Sequence, residues 1–189
     1  MMIDCSLEVF VISADNLDIS ADRMDGPLVQ DQLGPVEALP HYGIFIAYRV
    51  HLKDLKFPER YAVDPIKLVQ SANESGEHAI FTCGCGTIWC AGIERGINVC
   101  HEGGDVVWDF SLPLGTKDED LCEEGDYEIV FDRLGYIEGI RRVHELARHL
   151  IRHFSPLVEV GPHGCTPENV LSAEVRPHEA EVITFGNRR

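Results

Sequence analysis

Tyr136-Ile137-Glu138-Gly139-Ile140-Arg141-Arg142-Val143-His144-Glu145-Leu146-Ala147-Arg148-His149-Leu150-Ile151-Arg152-His153-Phe154 is the stretch whose reading decides the fold. Tyr136, Ile140, Val143, Ala147, Leu150, Ile151 and Phe154 recur at three- and four-residue steps, which puts them in one apolar stripe of a helix. The arginines lie opposite. Pro156 cannot continue the hydrogen-bond ladder and closes the segment. Most of what precedes it reads as strand. Residues 3–14 alternate and are rich in β-formers (Leu7, Val9, Phe10, Val11, Ile12). Residues 43–52 put Ile44, Ile46, Tyr48 and Val50 on one face, with Phe45, Ala47 and His51 on the other. Residues 78–83 and 127–131 form short strands. Residues 96–101 and 105–110 form a hairpin whose turn glycines come from Glu102-Gly103-Gly104. Asp64 as N-cap with Pro65 at N1 starts a short helix running to about Ala72, and Thr166 with Pro167 starts another. Residues 181–185 read as a last strand. Residues 16–42, with Gly26-Pro27, Gly34-Pro35 and Pro40, read as a long irregular loop. Strands joined by hairpins, then one long amphipathic helix, predict an α+β fold: an antiparallel sheet with the helix packed on one face, in a single domain over residues 1–189.

Composition agrees with a soluble globular chain. Of 189 residues, 44% are hydrophobic and 25% charged, enough to bury a core without staples. No apolar run is long enough to span a bilayer, so no membrane association is expected. Met1-Met2-Ile3-Asp4 has neither a basic leader nor an apolar h-region, so no secretion signal is read there. The 7 cysteines are an odd number and are not spaced as a disulfide framework, which points to a reducing cytoplasm. The formal net charge is −16, from 32 acids and 16 bases. Such a surface repels nucleic acid and anionic lipid and attracts a basic partner. The acids concentrate between Glu102 and Asp132, where Lys117 is the lone base, whereas residues 133–153 are rich in arginine. This order predicts internal pairing between the acidic block and the helix. The outward alternative is a bipolar interaction face.

The other singular feature is Thr82-Cys83-Gly84-Cys85-Gly86-Thr87-Ile88-Trp89-Cys90, with Cys100-His101 beyond it. Three readings stay open. Zinc takes about four Cys or His ligands in a tetrahedron, and Cys83, Cys85, Cys90 and His101 make up the candidate set. Cys100 and His101 are adjacent in a strand and point to opposite faces, so only one of them can join. In the redox reading, Cys83 or Cys85 pairs with Cys90. In the structural reading, the thiols are small hydrophobes packed under a hairpin. Cys83-x-Cys85 resembles the first half of a SWIM-type zinc finger. The second half, Cys-x-His, is missing: Cys90 is followed by Ala91-Gly92, and Cys100 directly by His101. Nucleic-acid binding is therefore not carried over. Residues 81–92, with 99–108 after them, also resemble small uncharacterised bacterial proteins bearing a Thr-Cys-x-Cys-Gly…Cys-Ala-Gly signature, a resemblance that implies no activity.

Several catalytic and metal motifs fail on spacing. His144 and His149 are one residue too far apart for a His-Glu-x-x-His zinc helix. Glu145, His149 and His153 share a stripe and read as a solvated face. A loop from Asp118 would place Cys122 and Glu123 where an EF-hand needs oxygen and glycine. His163-Gly164-Cys165 reads as a glycine turn rather than a catalytic pair. Trp89 and Trp108 are expected to pack together. There is no phosphate loop, dinucleotide fingerprint or nucleophile elbow. The expectation is a non-enzymatic protein that binds a basic protein partner, as an inhibitor or immunity protein does, with a Cys-rich structural hairpin that could hold zinc. The alternative is a metal- or thiol-dependent enzyme or redox sensor built on Cys83, Cys85 and Cys90.

Overall fold

The computed structural model describes residues 1–13, 16–22, 42–52, 61–86, 93, 95–112, 125–155 and 157–177. Its longest pairing joins β1 (Asp4–Ser13) and β3 (Tyr42–His51) antiparallel over their full lengths, from Asp4 opposite His51 to Ser13 opposite Tyr42. Alternation decides their faces: Cys5, Leu7 and Val9 of β1 and Ile44, Ile46, Tyr48 and Val50 of β3 are all buried. This is the burial predicted for β3 from its period of two.

A first sheet grows outward from this pair. β2 (Asn16–Asp22) lies on the far side of β1, so the front of the expected irregular loop is a strand. Its Asp and Ser residues read as loop formers in sequence, but an edge strand tolerates polar residues. On the other side, β3 is flanked by two short strands. Its C-terminal half pairs with β4 (Tyr61–Val63), which in turn pairs with β6 (Phe81–Cys83). Its N-terminal half pairs with β10 (Val158–Val160), in parallel. The second sheet is antiparallel, in the order β5 (Gly76–His78), β7 (Ile97–Glu102), β8 (Asp105–Leu112), β9 (Gly125–Asp132). The expected hairpin is thus β7–β8. The expected strand at 181–185 and Trp89 lie outside the described residues.

The α+β class stands, but the layout differs from one sheet carrying one helix. There are two sheets and three helices among the described residues: α1 (Pro65–Asn73), α2 (Arg133–Phe154) and α3 (Pro167–Ser172). The caps are those expected. The Asp64 carboxylate accepts from Ile66 N and Lys67 N, and the Thr166 hydroxyl accepts from Asn169 N. α2 begins three residues earlier than its apolar stripe, because the Asp132 carboxylate accepts from Gly135 N at 2.7 Å. α2 touches β1 and β3 of the first sheet and β8 and β9 of the second, with α1 and α3 packed alongside. Its stripe, from Tyr136 to Phe154, is buried throughout, and each such side chain contributes roughly 1.5–3 kcal/mol if large and aliphatic or aromatic. Gly139 lets the helix close on β1, since a Cβ there would meet the Ile3 side chain at 2.9 Å.

Two buried hydrogen-bond chains fix α2 in register. Trp108 Nε1 donates to the Tyr136 hydroxyl at 2.9 Å, which shares a 2.7 Å bond with Ser71 Oγ. Ser71 Oγ in turn donates to Leu68 O at 2.7 Å. The indole can only donate and the carbonyl only accept, so the protons run Trp108, Tyr136, Ser71, Leu68, and every group is satisfied. Farther along α2, His144 Nε2 donates to Ala173 O at 3.0 Å. In the neutral ring Nδ1 then accepts from the Tyr48 hydroxyl at 3.1 Å. No described helix is long and apolar enough to cross a membrane.

Candidate functional site

The cysteine turn sits at the edge of the first sheet. Cys83, the last residue of β6, stands opposite Tyr61 of β4. The chain then reverses, with Gly86 N donating to Cys83 O at 2.9 Å. Cys83 and Cys85 are joined as a disulfide, their Cα atoms 5.2 Å apart, and the Cys85 N–H points at the Cys83 sulfur at 3.2 Å. The turn docks on the segment after β10, where His163 N donates to Gly84 O at 3.0 Å. Gly86 is required twice over. Its φ is +78°, and a Cβ there would run into the His163 carbonyl oxygen, so both backbone hand and space demand glycine.

The four residues expected to converge on zinc are not gathered by the described structure. Cys83 and Cys85 are bonded to each other. Cys90 lies outside the described residues. His101 belongs to β7 of the second sheet, and its Nε2 donates to Ser71 O at 2.8 Å, at the end of α1. Among the described residues no group of three or more Cys, His, Asp or Glu is arranged to hold a metal, the Glu145–His149–His153 stripe included. The described free cysteines are poor nucleophiles. Burial pushes the thiols of Cys5 and Cys165 up to about 12. Cys100 Sγ donates to a Glu102 carboxylate oxygen at 3.2 Å, which holds that thiol above its ordinary range. His163-Gly164-Cys165 lies in a turn closed by backbone, Cys165 N donating to Pro162 O at 3.0 Å.

The acidic block forms a more extended feature. Pairing across the second sheet sets Glu77, Asn98, Asp109 and Glu128 in one row over all four strands. A second row holds Cys100, Val107 and Val130, and a third Glu102, Asp105 and Asp132. Ser111 and Asp126 form a fourth, linked by a 2.6 Å hydrogen bond. These residues face outward, with the acids all exposed. The opposite side of the same strands carries Val99, Val106, Trp108, Phe110, Ile129 and Phe131, all buried. Among the described residues, not one outward position of this sheet is Lys or Arg. Asp109 stands directly opposite Glu128, and Asp105 directly opposite both Asp132 and, across the hairpin, Glu102, an arrangement that destabilises a sheet.

Internal neutralisation, expected between this block and the helix, is absent among the described residues. Arg141 pairs with Glu138 at 2.5 Å and Arg148 with Glu145 at 3.1 Å, both within α2. Arg49 pairs with Glu8 at 2.9 Å, across β1 and β3. None reaches the second sheet. The sequence reading located the acidic block but missed that Glu77 joins it from β5, and that a single face collects the charge. The alternation Asp126-x-Glu128-x-Val130-x-Asp132 is the signal that could have shown this. The acids between 113 and 124 lie outside the described residues. Compared with known proteins, the chain matches no family model, no curated protein and no solved structure.

Proposed function

We propose that this chain is a non-enzymatic binding protein that takes a basic protein partner, as an inhibitor or immunity protein does, on the outer face of its second sheet. The observation that carries this reading is the set of carboxylate rows with no cation among them, including three like-charged pairs facing each other across strands. Natural sheets avoid such pairs because they cost stability, and a cationic surface laid over them turns that cost into attraction. The face rests on a rigid base. Trp108 makes edge contacts with Phe131 and Tyr136, with ring centroids 5.2 and 6.0 Å apart. The face therefore meets a partner without first having to be ordered.

Four strands about 4.8 Å apart and several residues long present on the order of 400 Å², about half of what one partner contributes to a standard interface. A field of one sign speeds encounter with a basic protein and makes binding strongly dependent on salt. The metal-dependent alternative built on Cys83, Cys85 and Cys90 finds less support, since Cys83 and Cys85 are bonded to each other and no group among the described residues is arranged to hold a metal. The test is calorimetric titration with a panel of small basic nucleases, at low and at physiological salt, using the wild type and an Asp105→Asn/Asp109→Asn/Glu128→Gln variant. A partner should bind the wild type at least about tenfold more tightly than the variant, and more weakly as salt rises. Equal affinity of a bound nuclease for both proteins would overturn the assignment of the face.

A further inference from the structure

We propose that the Cys83–Cys85 disulfide is a thiol-exchange site, attacked at Cys85 by a small-molecule thiol, with Cys83 as the leaving group. The bridge does little as a crosslink. It joins residues two apart in one turn, and loops this short restrict the unfolded chain least. The turn is already closed by Gly86 N to Cys83 O and held down by His163 N to Gly84 O. No second element is tied in by the sulfurs.

The two sulfurs are unequal in the ways exchange requires. Cys83 is 7% exposed and stands opposite Tyr61 of β4, whereas Gly84, Cys85 and Gly86 are exposed. Among the described residues, a Cβ on Gly84 would meet nothing within 4 Å. A thiolate can therefore reach Cys85 and not Cys83. As it attacks, the new bond forms to Cys85 Sγ, the Cys83–Cys85 bond breaks, and the electron pair leaves on Cys83 Sγ. The Cys85 N–H, 3.2 Å from that sulfur, is in place to donate to the departing thiolate, which stabilises a leaving group. A second thiol then attacks the mixed disulfide on the external sulfur and releases Cys85 as thiolate, which takes up a proton. Overall, one protein disulfide and two thiols give a protein dithiol and one external disulfide.

The test uses the full-length chain in native buffer with glutathione as the probe, read by peptide-level mass spectrometry. In the wild type, reduced glutathione should open the Cys83–Cys85 bridge without unfolding, with the melting transition retained. The Cys83→Ser variant, exposed to oxidised glutathione, should hold one glutathione on Cys85. The Cys85→Ser variant should be modified at Cys83 at least about tenfold more slowly, as access controls exchange. Any of three results would overturn the proposal: reduction only in denaturant, glutathione on Cys83 as readily as on Cys85, or peptides joining Cys83 to Cys90 in place of Cys85. Loss of the melting transition on reduction would show a structural crosslink and overturn it as well.

Discussion

Replacing Asp105 by Asn and Glu128 by Gln removes one carboxylate from each like-charged pair of the second sheet, Glu102–Asp105, Asp105–Asp132 and Asp109–Glu128. Asp132 is left in place because its carboxylate caps α2. Directly opposed residues hold their Cβ atoms about 5 Å apart, which sets the carboxylates roughly 6.5 Å from each other. At that distance two unit charges in a water-like medium repel by about 0.6 kcal/mol. Screening reduces this to about 0.5 kcal/mol per pair at 0.01 M salt, about 0.3 at physiological salt and under about 0.1 at 1 M. Asp105 and Asp109 are about 13 Å apart along β8, far enough for the contributions at the two sites to add. With three pairs relieved, the double variant should therefore be more stable than the wild type by about 1.5 kcal/mol at 0.01 M salt, and the gain should nearly vanish at 1 M. Urea unfolding at the two salt concentrations measures this through the shift in midpoint at unchanged slope. A variant less stable than the wild type at low salt, or a gain of equal size at 1 M, would refute the facing-carboxylate geometry. A stabilising change that weakens partner binding is what a surface kept for binding at some cost in stability should show.

The buried relay gives the largest expected loss. Tyr136→Phe leaves the Trp108 indole N–H unpaired in the core, and should cost about 2–4 kcal/mol by denaturant melt; a loss below about 0.5 kcal/mol would mean water or another group takes over. Adding Ser71→Ala should cost less than the sum of the single changes, because both remove the same bond. Burial holds His144 below its ordinary pKa, so the unfolded chain binds its proton more readily than the fold does. Stability contributed by neutral His144 should be complete above about pH 6.5 and fall as pH drops from there toward the folded-state value. That slope should be missing from the pH-dependent melts of His144→Gln. Gly86→Ala should lower the melting temperature and undock the turn from His163, at a cost of about 1–3 kcal/mol for the strained backbone, read by faster hydrogen exchange at the His163 amide.

The chain alone was enough to place the elements whose signal is local and repeated. α2 was legible because its stripe recurs through every turn, β1 and β3 because their alternation runs through ten residues each, and the helix starts because Asp64 and Thr166 satisfy their own first-turn amides. Strands of three residues, such as β4, β5 and β10, carry too little pattern to stand out, and they exist because neighbours complete their backbone hydrogen bonds. Tertiary structure alone decided which residues meet. It placed His101 on α1 and away from the cysteine turn, joined Cys83 to Cys85, and brought Glu77 beside a block acidic residues 25 positions and more further on. Periodicity is a property of one segment and can be read along it, whereas a site is a coincidence of segments, set by the register and docking that only the folded chain fixes.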